Sequence, residues 1–146
     1  MQAPAKRKTT ILSIDGGGIR GILPGTIIAY IEERLRALEG DHVRISDYFD
    51  LISGTSTGGI LSLAYLIPGA DGRPKFTAQQ AVELYFENGD EIFKRTVWQR
   101  MKSVNGMADE KFSVAELERV LAKYFGNATL KDLIKPCLIT SYDIER

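Results

Sequence analysis

The serine of Gly54-Thr55-Ser56-Thr57-Gly58 stands where a nucleophile could work. The five residues fit G-x-S-x-G, the pattern of a serine held on a sharp turn between a strand and a helix. Side chains two positions before and after such a serine would clash, so the turn calls for Gly54 and Gly58. The helix that follows aims its N-terminus at the serine, and the partial positive charge and free N–H groups there favour a developing oxyanion. A second motif, Asp15-Gly16-Gly17-Gly18-Ile19-Arg20-Gly21, sets Gly16, Gly18 and Gly21 at G-x-G-x-x-G spacing. Two chemistries use that spacing. One is a dinucleotide site, in which the glycines admit a pyrophosphate. The other is an oxyanion hole, in which consecutive glycines expose N–H groups to the tetrahedral intermediate of acyl transfer. Losing one such donor typically costs ~3 kcal/mol of barrier.

Three features weigh against the dinucleotide reading. That fingerprint expects an acid at the end of the second strand, about 20 residues on. Asp41 is near that distance but precedes the apolar Val43 and Ile45, and Asp50 comes late. Pro24 removes an N–H near the expected pyrophosphate, and the serine motif is left without a role. A Walker-type loop is excluded, because no Gly-Lys-Ser/Thr follows. An elbow serine needs a second source of N–H groups from another loop. The two motifs therefore explain each other as parts of one acyl-transfer site. A nucleotide-binding oxidoreductase built on Gly16, Gly18 and Gly21, and a non-catalytic module that keeps the fold, are the alternatives.

The elements around the motifs read as an α/β chain. Residues 9–14 form a β-branched, apolar run, a buried strand, and the glycine loop follows. Pro24 suits the first turn of a helix. Ile27, Ile28, Ile31, Leu35 and Leu38 recur at helical spacing with Glu32, Glu33, Arg34 and Arg36 between them, up to Gly40. The pattern then repeats: a strand over 48–53, a tight turn over 54–59, and a buried helix over 60–67 that stops before Pro68. Thr77 is the expected N-cap of a helix through Ala81, Val82, Leu84, Tyr85 and Phe86. Ser113 and Glu116 form a capping box ahead of Leu117, Val120, Leu121 and Phe125, with Gly126 closing that helix. Residues 94–111 read as loop or short helix, and 137–141 as another strand. Strand, glycine loop and helix in alternation are the opening of a parallel α/β unit.

Composition narrows the function. The chain has 146 residues, 44% of them hydrophobic, enough for one core. Lys plus Arg total 19 and Asp plus Glu total 19, which excludes a broad electrostatic footprint for nucleic acid. With one cysteine, Cys137, and one histidine, His42, neither a disulfide framework nor a Cys/His metal site is expected, and no cofactor is. Residues 1–9 form a basic tail (Lys6, Arg7, Lys8) with no apolar segment behind it, so no secretory signal is read. The apolar stretch over 60–68 is too short to span a bilayer. A cytoplasmic chain is the expectation.

The chain resembles the patatin-like phospholipase family. The resemblance rests on Asp15-Gly-Gly-Gly-Ile-Arg-Gly21, on Gly54-Thr-Ser-Thr-Gly-Gly59 led into by Asp50-Leu-Ile-Ser, and on Ser141-Tyr-Asp-Ile-Glu145. It covers residues 10–146 as the N-terminal portion of such a domain. It implies a three-layer α/β fold with a central, mostly parallel sheet, cut short on its C-terminal side. It implies hydrolysis of acyl esters in phospholipids or other lipids by a Ser–Asp dyad that needs no histidine, and peripheral contact with a membrane. Carried over, Ser56 is the nucleophile, and the amides of Gly17, Gly18 and either Thr57 or Arg20 form the oxyanion hole. The family's dyad aspartate lies in an Asp-Gly-Gly or Asp-Gly-Ala motif that comes well after the segment matched by 141–145, and this chain ends first. An activating ligand or partner is open.

The remaining candidates read more plainly. Asp71-Gly72 lies 15 residues past Ser56 and reads as a surface turn. His42 reads as a solvated loop residue. Asp15 reads as an anchor of the glycine loop through hydrogen bonds to backbone N–H groups. Arg20 either orients that loop, meets a lipid phosphate, or pairs with Asp15. Cys137, Tyr85, Phe86, Phe93 and Trp98 read as core. Met101 and Met107 fall in the stretch without a clear pattern.

Overall fold

The chain is α/β. In a computed structural model, residues 8–89 and 110–141 are described. The expected tail residues 1–7, Phe93, Trp98, Met101, Met107 and the end of the 141–145 segment lie outside them. Three strands make a parallel sheet in the order β1 (Ile11–Ile14), β2 (Leu51–Thr55), β3 (Cys137–Thr140). Ile11 pairs with Leu51 and Ile14 with Gly54, while Ile52 pairs with Cys137 and Thr55 with Thr140. All three were visible as short hydrophobic segments, but the run over 9–14 is not the buried strand expected: Ile11 and Leu138 are exposed, and of β1 only Ile14 is buried. Parallel pairing requires long crossovers. Helix α1 (Ile22–Glu39) connects β1 to β2, and α2 (Thr57–Leu66), α3 (Ala78–Gly89) and α4 (Glu110–Phe125) lie between β2 and β3. The core gathers Ile14, Ile28, Ile52, Leu61, Tyr65 and Val82 from β1, α1, β2, α2 and α3.

Several boundaries differ from expectation, each for a local reason. β1 starts at Ile11, because the Thr10 amide is taken by the Asp50 carboxylate at 2.9 Å and its hydroxyl donates to the Tyr48 carbonyl. β2 starts at Leu51, because Ile45–Tyr48 winds into a 3-10 turn in which the Arg44 amide donates to Asp47 Oδ2 at 2.9 Å. The expected tight turn over 54–59 shrinks to one residue: β2 runs through Thr55 and α2 begins at Thr57. α4 begins at Glu110, so Ser113 lies inside it and does not cap it; Glu110 and Lys111 are good helix formers. Thr77 caps α3 as expected, its hydroxyl accepting from the Gln80 amide at 3.1 Å while Gln80 accepts from the Thr77 amide at 2.9 Å.

The face that α1 buries is the largest correction. Gly25, Ile28, Ala29 and Glu32 point inward, whereas Ile27, Ile31 and Leu38 are exposed. Gly25 decides this: a Cβ there would sit 2.9 Å from Val82 Cγ2, so only a bare backbone lets α3 pack so close. Glu32 is 2% exposed. Its two carboxylate oxygens accept from the Ile45 amide at 2.7 Å and from the Ala78 amide, at the start of α3, at 2.8 Å. A buried carboxylate is tolerated when its lone pairs are satisfied in this way. Phe86 is exposed rather than core, while Tyr85 beside it is buried.

Candidate active site

Ser56 is the single residue between the end of β2 and the start of α2. It is exposed, with φ 50° and ψ −121°, and among the described residues no other non-glycine has positive φ. A side chain held in that region stores strain that the surroundings must over-determine. The flanking glycines show how. A Cβ at Gly54 would lie 2.3 Å from the Gly58 carbonyl carbon, and one at Gly58 would lie 2.1 Å from the Ile14 carbonyl oxygen. The strand, the turn and the first helical turn are therefore pressed together with no room for side chains. The Gly59 amide donates back to the Ser56 carbonyl at 2.9 Å and closes the turn.

The glycine loop lies directly against this elbow. The Gly16 amide donates to Thr55 Oγ1 at 2.8 Å. A Cβ at Gly16 would stand 2.4 Å from the Thr55 carbonyl oxygen and 2.8 Å from Ser56 Cβ. Gly18 has φ 60° and opens a 3-10 turn, Gly18–Gly21. The donors of a 3-10 turn start at its third or fourth residue, so the turn leaves the Gly17 and Gly18 amides unused. Arg20 differs: its amide donates to the Gly17 carbonyl at 3.2 Å. The Thr57 amide lies in the first turn of α2, where N–H groups have no intrahelical partner. The glycine loop thus meets the elbow at Gly16, which packs on Thr55 and Ser56, and at Gly21, which packs on Thr57.

The anchoring of the loop is not the one expected from Asp15. Among the described residues Asp15 makes no hydrogen bond to a backbone N–H, and it does not pair with Arg20; both are exposed. The anchor is the Gly16–Thr55 bond on the strand side. On the helix side it is Tyr85, whose hydroxyl donates to the Thr57 carbonyl and whose Cε1 would be 3.1 Å from a Cβ at Gly21. Burial pushes the Tyr85 hydroxyl far above the ordinary phenol range, so it stays a donor. Tyr85 was visible in the sequence as a core aromatic, but no local signal tied it to Thr57.

Two residues that the serine might have used lie elsewhere. Asp71 sits in an exposed turn, where its Oδ1 accepts from the Arg73 amide at 3.0 Å and Gly72 has φ 73°. That turn follows the C-terminal end of α2, about 15 Å of helix away from Ser56. His42 is exposed, and its carbonyl accepts from the Arg73 guanidinium at 2.8 Å in the same surface network. Among the described residues, no carboxylate or imidazole hydrogen-bonds Ser56. Cys137 is half-buried against the core, and burial pushes its thiol up. No helix among the described residues is long and apolar enough to cross a membrane.

The glycines at G-x-G-x-x-G spacing serve the approach to the elbow: Gly16 packs on Thr55 and Ser56, and Gly21 on Thr57 and Tyr85. That use does not favour the dinucleotide alternative. Comparison with known proteins agrees. A model of the patatin-like phospholipase family matches residues 12–145. Patatin-like protein 1 of Oryza sativa subsp. indica is 37% identical over 97% of this chain and 34% of its own length. Patatin-16 of Solanum tuberosum is 37% identical over 98% of this chain and 35% of its own length. A protein of Arabidopsis thaliana named "Probable inactive patatin-like protein 9" is 39% identical over 97% of this chain and 37% of its own length. The chain spans about a third of the length of these curated relatives. With both motifs folded against each other and the match running over nearly its whole length, the chain belongs to the patatin-like phospholipase family.

Proposed function

We propose that the protein hydrolyses acyl esters of phospholipids or other lipids, as a phospholipase A or lysophospholipase, with Ser56 as nucleophile. The observation that carries this is the conformation of Ser56, with φ 50°, pressed against a glycine loop that approaches within van der Waals contact. Ser56 Oγ attacks the ester carbonyl, and the hydroxyl proton passes to a base. The oxygen of the tetrahedral intermediate accepts from the amides of Gly17, Gly18 and Thr57. Collapse expels the alcohol, which takes up the proton, and leaves an acyl-serine. Water, deprotonated by the same base, releases the fatty acid and restores the serine. The base is the aspartate of a Ser–Asp dyad, supplied by protein outside this chain. The 146-residue chain alone is accordingly inactive or nearly so, because a serine without a base is a poor nucleophile. The substrate class also implies peripheral contact with a lipid surface.

The test is covalent labelling. The longest reading frame containing this chain is treated with a fluorophosphonate, digested and mapped by mass spectrometry. The expected result is a single adduct on the peptide that carries Ser56, absent from Ser56→Ala. An adduct elsewhere, or none while an added cofactor binds, would overturn the reading in favour of a different enzyme or a non-catalytic module.

A further inference from the structure

We infer that Tyr85 is a positioning residue for the oxyanion hole, an inference that rests on the function proposed above. The hole draws its donors from two pieces of chain, the glycine loop after β1 and the first turn of α2. In sequence β1 and β2 are separated by the whole of α1, and the sheet joins them only up to the Ile14–Gly54 pair. Two contacts join them beyond that pair. The Gly16 amide bonds Thr55 Oγ1 at the strand side, and Tyr85 reaches from α3 to the helix side.

Tyr85 touches both pieces with different parts of one side chain. Its hydroxyl donates to the Thr57 carbonyl, and its ring edge lies against Gly21, the last glycine of the loop. The side chain is 5% exposed and packed in the core, so it has one place to stand. The Leu61 amide, one turn on, also donates to the Tyr85 hydroxyl, so that oxygen meets both the first and the second turn of α2. What the bond to Thr57 adds is orientation. The Thr57 carbonyl and the Thr57 amide lie in adjacent peptide planes that meet at the Thr57 Cα, so holding the carbonyl leaves the amide only the φ and ψ of that one residue. The ring in turn stops the 3-10 turn of the loop from settling towards α2. Donors fixed before the reaction are what give an oxyanion hole its effect.

The inference predicts a deficit in catalysis without a matching deficit in binding or folding. Tyr85→Phe keeps the ring against Gly21 and removes the oxygen. Tyr65→Phe is the control: Tyr65 is 1% exposed in the same core, and its hydroxyl has no partner among the described residues. Both variants are made in the longest reading frame containing this chain. Hydrolysis of a short-chain ester is followed, with rates taken per Ser56 titrated by fluorophosphonate, so that unfolded protein does not count. The expected result is a kcat lower by roughly five- to tenfold in Tyr85→Phe, the range of one ordinary hydrogen bond, with KM unchanged, and a Tyr65→Phe variant like the parent. Wild-type kcat in Tyr85→Phe, or equal losses in the two variants, would overturn the inference and leave the proposed function standing. Hydrolysis that survives Ser56→Ala, or no hydrolysis by the parent, would overturn the proposed function and this inference with it.

Discussion

α1 and α2 each follow a strand and a glycine motif, yet they are packed in opposite ways. α2 is ten residues long and buried except for the half-buried Ile60 and Leu63, with Gly58, Gly59, Leu61, Ser62, Ala64, Tyr65 and Leu66 all inside. α1 is eighteen residues long and buries a narrow stripe, Gly25, Ile28, Ala29 and Glu32. Its larger apolar residues Leu23, Ile27, Tyr30 and Leu38 are each more than 60% exposed. Residue type does not choose the packed face here. On α1 the small residues Gly25 and Ala29 admit α3, and Glu32 finds two backbone donors behind it. On α2 the glycines admit β1 and β2. In both helices a missing side chain sets the packing, and the apolar side chains accommodate it.

The comparison can be broken most directly at Gly58. Gly58→Ala places a Cβ against the Ile14 carbonyl, and backbone cannot yield as a flexible side chain can. The expected loss is about 3 kcal/mol or more in chemical denaturation. A variant as stable as the parent would show that the elbow is looser than described. Leu61, with no exposed surface, comes next. Leu61→Ala should cost about 2–5 kcal/mol, read from the same denaturation midpoint at constant slope.

A smaller effect is expected where β2 is entered, and it depends on pH. Burial works to raise the Asp47 carboxyl, but the Arg73 guanidinium at 2.8 Å and the Arg44 amide outweigh it and hold the group below its ordinary 3.8. A lowered folded value means stability that is present above 3.8 and lost as pH falls through the lowered value. Arg73→Met should therefore be less stable than the parent at neutral pH by up to about 1 kcal/mol, since the pair is partly exposed. The gap should narrow below pH 3.8. A gap that stays constant across that range would assign the difference to packing of the arginine stem. The smallest effect is expected on the outer face of α1. Ile27→Ser should change stability by no more than about 0.5 kcal/mol, against the several lost at Leu61. A comparable loss at both sites would erase the contrast between the helices.

What was legible in the sequence was local. Gly54, Ser56 and Gly58 constrain one another across five residues, and Gly16, Gly18 and Gly21 across six. Both motifs therefore announced the turn and the loop before any packing was known. The strands were legible as short apolar, β-branched runs bounded by glycine and turn residues, although Ile11 and Leu138 in them are exposed. Glu32 and Tyr85 were not, because their roles are set by partners 46 and 28 residues away. Glu32 sits among charged neighbours and reads as solvent face. Gly25 and Ala29, four apart and in phase with Ile28 and Glu32, were the one hint that this stripe turns inward. Arg20 and Asp15 look poised to act within the loop, but the fold spends the Arg20 amide on the Gly17 carbonyl and gives Asp15 no loop amide to hold.

The central claim is that Ser56 carries the chemistry of a lipid acyl hydrolase. The direct measurement takes the longest reading frame that contains this chain, incubates it with mixed phospholipids, and quantifies released fatty acid by mass spectrometry beside a Ser56→Ala copy. The account predicts release by the parent and none above background by the variant. Equal release from both would contradict it.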